Sequence, residues 1–217
     1  MALSVPACRN GRGPHDCIMK KLITVLSVLA FAGAGHAASY FRPEVVYIMP
    51  TESGSKSTTG VFAALGYSPQ AYPGHGFEIE AGWAKWSMAD SGTADGVAYS
   101  GKAHYKIMPV MLNYRFTHEL QKNLTGYLQL GGGWSRTSVD WNVTVLDTSL
   151  RGDDSSTEFT YGGGIGVAYT VAENTQFTFG YRYLDVGSMK VNVAPDTSID
   201  TGHQAANIIE AGLSFRF

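Results

Sequence analysis

Residues 205–217 constrain the fold more than any other stretch of the chain. Ile209, Ala211, Leu213, Phe215 and Phe217 lie on one side of an extended backbone, with Glu210, Gly212, Ser214 and Arg216 on the other. Alternation with period two is the signature of a strand that has one apolar and one polar face. The scheme recurs. In 76–87, Phe77, Ile79, Ala81 and Trp83 oppose Glu78, Glu80, Gly82 and Ala84. In 157–169, Phe159, Tyr161, Ile165, Val167 and Tyr169 oppose Glu158, Thr160, Gly162, Gly164 and Gly166. In 176–187, Phe177, Phe179, Tyr181 and Tyr183 oppose Thr178, Gly180 and Arg182.

Eight segments follow the pattern: 40–50, 60–69, 76–87, 103–116, 124–137, 157–169, 176–187 and 205–217. Segment 60–69 is weakly amphipathic, with Val61, Ala63, Leu65 and Tyr67 set against Phe62, Ala64, Gly66 and Ser68. Pro109 lacks a ladder donor and predicts a bulge or local irregularity within 103–116. The connections 51–59, 88–102, 138–156 and 188–204 are long, while 70–75, 117–123 and 170–175 are short. An even strand count with alternating long and short connections predicts an all-β fold, an eight-stranded antiparallel up-and-down β-barrel with both termini on one side. A soluble barrel would turn its apolar face inward, and an eight-stranded lumen is too narrow for rows of Phe, Tyr and Trp. The aromatic faces therefore point outward into lipid, and the barrel is transmembrane. Short turns then face the periplasm and the four long connections face outside. The pattern places the chain in a Gram-negative outer membrane as a multi-pass barrel.

The N-terminal residues read as a leader. Met19, Lys20 and Lys21 precede the apolar run 22–31 and the small residues Ala32-Gly-Ala-Gly-His-Ala37, the three parts of a secretory signal. The apolar run is well short of the ~20 residues of a spanning helix. Expected domains are an extension 1–18 in front of the true initiator Met19, a signal peptide 19–37 cleaved between Ala37 and Ala38, and a barrel 38–217. Cys8 and Cys17 then carry no chemistry in the mature chain. The formal net charge is −2. Residues 1–37 hold Arg9, Arg12, Lys20, Lys21 and Asp16, so the remainder has 12 basic and 17 acidic side chains, a net of −5. That balance repels phosphate backbones and excludes nucleic acid as a partner.

Three stretches resemble the OmpA/OmpX-type outer-membrane β-barrel family: Lys106-Ile-Met-Pro-Val-Met-Leu-Asn-Tyr-Arg-Phe116 with Leu124-Thr-Gly-Tyr-Leu-Gln-Leu-Gly-Gly-Gly133, Phe179-Gly-Tyr-Arg-Tyr-Leu-Asp185, and Gly212-Leu-Ser-Phe-Arg-Phe217. The resemblance implies the barrel fold, and roles that range from adhesin and complement-resistance factor to small structural barrel. It implies that Phe217, with Phe215, forms the C-terminal signal read by the barrel-assembly machinery, with periplasmic chaperones as partners during biogenesis. The peptidoglycan-binding domain of full OmpA is lacking, so no cell-wall anchor is implied.

Four places could carry chemistry. Alternation puts Arg42, Arg115, Arg182 and Arg216 inside with Glu44, Glu78, Glu80, Glu158 and Glu210. Near-balanced charges in a lumen with room only for side chains predict a plug of ion pairs rather than a pore, with a narrow channel as the alternative. Arg182 is expected to pair with Glu210, Glu44 or both, with Glu80 reaching from across the lumen. The run Gly162-Gly-Gly-Ile-Gly166 continues into a strand, not a helix, so it is no phosphate loop. No cofactor or metal is implied. A lipid-modifying enzyme would need a Ser beside a His. Of the mature histidines His75, His104, His118 and His203, none sits two residues from a Ser on a lipid-facing strand. The expected function is non-catalytic: envelope integrity or adhesin-like surface interaction. In the longest outer connection Arg151, Gly152 and Asp153 form a tripeptide that integrins recognise in other proteins, and a host or matrix surface ligand is the candidate partner there. The plainer reading is a solvated loop. Trp141, Val143 and Val145 alternate and predict a hairpin beyond the membrane.

Overall fold

A computed structural model describes residues 37–94, 97–145, 148–194 and 197–217. The expected extension, the signal peptide and both cysteines lie outside these residues, except that Ala37 opens the first strand. Eight strands follow in chain order: β1 Ala37–Pro50, β2 Thr58–Pro69, β3 His75–Ala94, β4 Val97–Gln121, β5 Leu124–Val145, β6 Thr148–Ala172, β7 Thr175–Ala194 and β8 Thr197–Arg216. Each pairs with its sequence neighbour, and β1 closes on β8, giving one antiparallel barrel. Closure leaves no free sheet edge, which is what permits strands to cross a lipid bilayer.

Alternation runs as the sequence dictates. Phe77, Leu112, Leu130, Trp134, Phe159, Ile165, Phe179 and Phe217 are exposed on the outer surface, while their neighbours Glu78, Asn113, Gln129, Ser135, Thr160 and Thr178 are buried. This is the polarity of a barrel solvated by lipid. The weakly patterned β2 obeys it too, with Val61, Leu65 and Tyr67 outside and Phe62 and Ala64 inside.

The connections differ from expectation. The described residues of 88–102, 138–156 and 188–204 are not loops; their strands run on as paired ladders, from Ala89↔Lys102 to Ala94↔Val97, from Ser138↔Ser155 to Val145↔Thr148, and from Ser188↔His203 to Ala194↔Thr197. Above the lipid both faces of a strand meet water, so the ladder continues with no amphipathic contrast to announce it. The short turns are tighter than expected. Lys122 and Asn123 join β4 to β5, with Asn123 at φ 71°, and Glu173 and Asn174 join β6 to β7. Pro109 causes no register shift. The β3–β4 ladder lapses between Ala81↔Val110 and Ala84↔Ile107 and resumes in step, because a missing donor removes bonds without adding a residue. Pro43 leaves a similar gap between Phe41↔Phe215 and Glu44↔Gly212.

Candidate functional site: the lumen and the hairpin end

Inward positions on five strands meet at mid-depth. Arg42 and Glu44 on β1, Glu78 and Glu80 on β3, Arg115 on β4, Arg182 on β7 and Glu210 on β8 are all buried in the lumen. Arg42 is the hub. Its Nη1 donates to Glu44 Oε1 at 2.7 Å, its Nη2 to Glu78 Oε2 at 2.6 Å and to Gln129 at 3.4 Å, and Glu80 Oε2 lies 4.0 Å away. Arg115 donates to Glu78 at 3.2 Å and lies over the Tyr127 ring at 3.6 Å. The Tyr40 hydroxyl also donates to Glu78. Arg182 donates to Glu80 at 2.6 Å and lies 3.3 Å from Glu210, to which Tyr127 donates at 2.9 Å. Glu80, on the far strand, is thus the nearest partner of Arg182; Glu44 belongs to Arg42.

Tyr127 reaches Glu210 because Gly166 and Gly180 border its hydroxyl, and a Cβ at either position would collide with it. A run of lumen glycines therefore makes room for a long inward side chain on a neighbouring strand.

Two of the nine charges placed in the lumen stand elsewhere. Arg216 is exposed at the turn-end mouth, where alternation still points it inward but the barrel no longer covers it. Glu158 is half-buried beyond the network, next to Gly187, and makes no ion pair among the described residues.

The lumen is not polar throughout, as alternation alone suggested. On the hairpin side of the ionic cluster, Val46, Ile48, Phe62, Trp86, Tyr105, Ile107, Val139, Leu184, Val186 and Ile208 pack into an apolar core. Trp86 stacks on Tyr105 with ring centroids 5.9 Å apart. The void left among these side chains is about 10 Å³, room for one water at most. Each such side chain contributes roughly 1.5–3 kcal/mol on burial. The reason for two tiers is physical: charges are tolerable inside only where partners meet them, and elsewhere a dry interior favours carbon.

At the hairpin end, Arg151, Gly152 and Asp153 lie within β6, opposite Asn142, Trp141 and Asp140. They are not a solvated loop. Arg151 and Asp153 are exposed on the outer face, and Gly152 is covered by the Trp141 ring. A shallow concavity of about 700 Å³ is lined by Lys102, His104, Asp140, Asn142, Arg151 and Asp153. The register also makes a row that inspection of single strands misses. Ser87 faces His104, and His104 faces Asp140, all three on the outer surface. No hydrogen bond joins them in this structure. Only strand pairing, invisible in a linear reading, brings them together. At the opposite end, Phe215 and Phe217 are exposed among outward aromatics.

A closed antiparallel barrel with an apolar outer surface and polar side chains alternating into its lumen defines the class of integral outer-membrane β-barrels. The outer membrane protein beta-barrel domain model matches residues 22–217, and the chain belongs to that family. Among solved structures it is similar to a major outer membrane protein from Thermus thermophilus, with TM-score 0.54, 12% identity, and 82% of this chain and 99% of that chain covered. It is also similar to OprG from Pseudomonas aeruginosa, with TM-score 0.50, 15% identity, and 85% and 98% coverage. At such identities the likeness concerns the fold alone. No curated protein matches the sequence.

Proposed function

We propose that the mature chain, residues 38–217, is a sealed and non-catalytic barrel of the outer membrane, oriented with its hairpins outside and serving envelope integrity or contact with a surface ligand through them. The carrying observation is the doubly closed lumen, an ionic cluster backed by an apolar core whose void is about 10 Å³. A path for ions needs continuous water or a ring of one charge sign, and neither fits this interior. Its lasting partner is outer-membrane lipid, with the barrel-assembly machinery and periplasmic chaperones acting during biogenesis. The test is twofold. Purified protein in planar bilayers gives no large steady conductance, and a deletion strain changes in envelope permeability or adhesion. Stable porin-like openings overturn the sealed reading.

The Ser87–His104–Asp140 row supports a second reading, a lipid acyl hydrolase working on the outer face. Serine as nucleophile, imidazole as base and carboxylate as its orienter is the required order. Fatty acid release from outer-membrane lipid by the wild type and not by Ser87→Ala would establish it; no release from either leaves the non-catalytic reading standing.

A further inference from the structure

The outward face changes character at one level on three adjacent strands. Climbing β3 toward the hairpins, the outward residues are Phe77, Ile79, Ala81 and Trp83, and the next is Lys85. On β4 they are Phe116, Tyr114, Leu112, Val110 and Met108, and the next is Lys106. On β5 they are Leu128, Leu130, Gly132 and Trp134, and the next is Arg136. The first outward position beyond the apolar band is therefore a cation on each strand. Register makes them neighbours: Lys85 faces Lys106, and Arg136 faces Met108, one outward position below Lys106.

Placing two lysines directly opposite each other on a sheet is unfavourable unless something negative sits between them. A third ammonium adds to the cluster. The backbone N–H of Lys56 donates to Ser87 O at 3.0 Å, which ties the loop before β2 to this edge of the barrel. Lys56, Lys85, Lys106 and His104 then line a concavity of about 420 Å³ together with Ser57, Thr58 and Ser87, and Asp140 is its one carboxylate among the described residues. Lys85 Nζ also sits 5.1 Å from the Trp83 ring, which holds the charge at the margin of the apolar band. All this belongs to a chain whose mature part is net acidic, so the clustering is no reflection of an overall basic composition.

We propose that this concavity binds the phosphate of a phosphorylated lipid headgroup in the outer leaflet, with Lys56, Lys85 and Lys106 as its ligands and Ser57, Thr58 and Ser87 as hydroxyl donors. The inference rests on the orientation proposed above, hairpins outside. The depth selects the ligand. A phosphate on the headgroup of an outer-leaflet lipid lies at the boundary between Trp83 and Lys85, with its acyl chains running down the apolar face below. A free anion gains nothing from that face. Ammonium groups near a membrane surface each attract an anionic headgroup by roughly a factor of five in affinity.

The test uses the folded barrel in detergent, with native mass spectrometry counting bound lipid A, a glucosamine lipid bearing phosphates, against the same lipid after phosphatase treatment. Wild type retains the phosphorylated lipid selectively. The triple variant Lys56→Gln/Lys85→Gln/Lys106→Gln loses roughly a hundredfold in affinity, while Lys85→Arg/Lys106→Arg and the turn variant Lys122→Gln retain it. Should the triple variant not fold, as read from heat-dependent gel mobility, Lys106→Gln alone is compared with Lys106→Arg. Equal binding of the dephosphorylated lipid, unchanged binding by the Gln variants, or displacement by inorganic phosphate at matching concentration overturns the proposal. Protease accessibility of the hairpins in intact cells checks orientation separately, so a failed lipid assay with exposed hairpins rejects the site and not the topology.

Discussion

Replacing Arg182 by Met removes the closest partner of one buried carboxylate among the described residues and one of two partners of another. Glu80 loses its 2.6 Å bond and is left with Arg42 at 4.0 Å; Glu210 loses a contact at 3.3 Å and keeps the Tyr127 hydroxyl at 2.9 Å. Both carboxylates are nearly inaccessible to water. Breaking a buried pair by removing one member costs about 3–5 kcal/mol, most of it the stranded charge. Arg182→Met is therefore expected at the upper part of that range. Arg115→Met makes the contrast. Glu78 would still hold Arg42 at 2.6 Å and the Tyr40 hydroxyl, so the loss is that of one charged hydrogen bond and a ring contact, about 1.5–3 kcal/mol. Adding Glu80→Gln to Arg182→Met takes away the orphan charge and should return part of the loss. Urea titration of the wild type, these variants and Glu80→Gln alone, each folded in phospholipid vesicles and followed by tryptophan fluorescence and gel mobility, gives the free energies of the cycle. Losses that add to within ~0.5 kcal/mol, or an Arg115 variant hurt more than the Arg182 variant, would refute this map of the cluster.

Three further outcomes are expected. N-terminal sequencing of the membrane-inserted protein begins at Ala38, and recovery of Met1 would defeat the leader reading. Phe179→Arg costs about 2–4 kcal/mol because its side chain faces lipid near mid-band, whereas Ser149→Arg in the β5–β6 hairpin costs little; equal tolerance in the same urea assay would reverse the faces. Gly180→Ala forces a Cβ against the Tyr127 hydroxyl and Glu210, which costs about 1–3 kcal/mol. Tyr127→Phe in that background should relieve some of it, and no relief would mean that the strain lies in the backbone.

The barrel, its outward face and seven of the nine lumen charges follow from alternation alone, because lipid on one side and paired charges on the other give the strongest contrast a strand can show. The signal fades where that contrast does. In β2, Phe62 is apolar yet points inward, so the segment looks weak although its pairing with β3 is regular. Trp86, Tyr105 and Ile107 fill the lumen beyond the last lipid-facing residues, where their neighbours Lys85, Lys106 and His104 are already polar. Read linearly, they suggest nothing about a core; pairing of β3 with β4 sets Trp86 opposite Tyr105, and closure of the sheet packs Val46, Leu184 and Ile208 into the same core. The paired hairpins escape notice for the opposite reason, since water on both faces demands no pattern. The rows Lys85–Lys106 and Ser87–His104–Asp140 depend on register between strands, which no single segment encodes.

The place where the ring of strands closes carries a consequence for how the molecule forms. Arg42 and Glu44 lie on β1, Glu210 lies on β8, and at Pro43 the backbone ladder between these two strands lapses. The ladder resumes at Glu44↔Gly212 and runs unbroken to Pro50↔Ala206, so peptide groups hold most of the seam while Arg42, at the gap, reaches into the lumen to Glu78 on β3. Until the first and last strands meet, Glu80 on β3 lacks Arg182 on β7, and an open sheet would carry unmatched charge into lipid. The final zippering step then supplies neutralisation and ring closure together, so assembly should finish all at once. By the same logic, opening of the ring at this seam should part Arg182 from Glu80 and leave both charges unmatched at once.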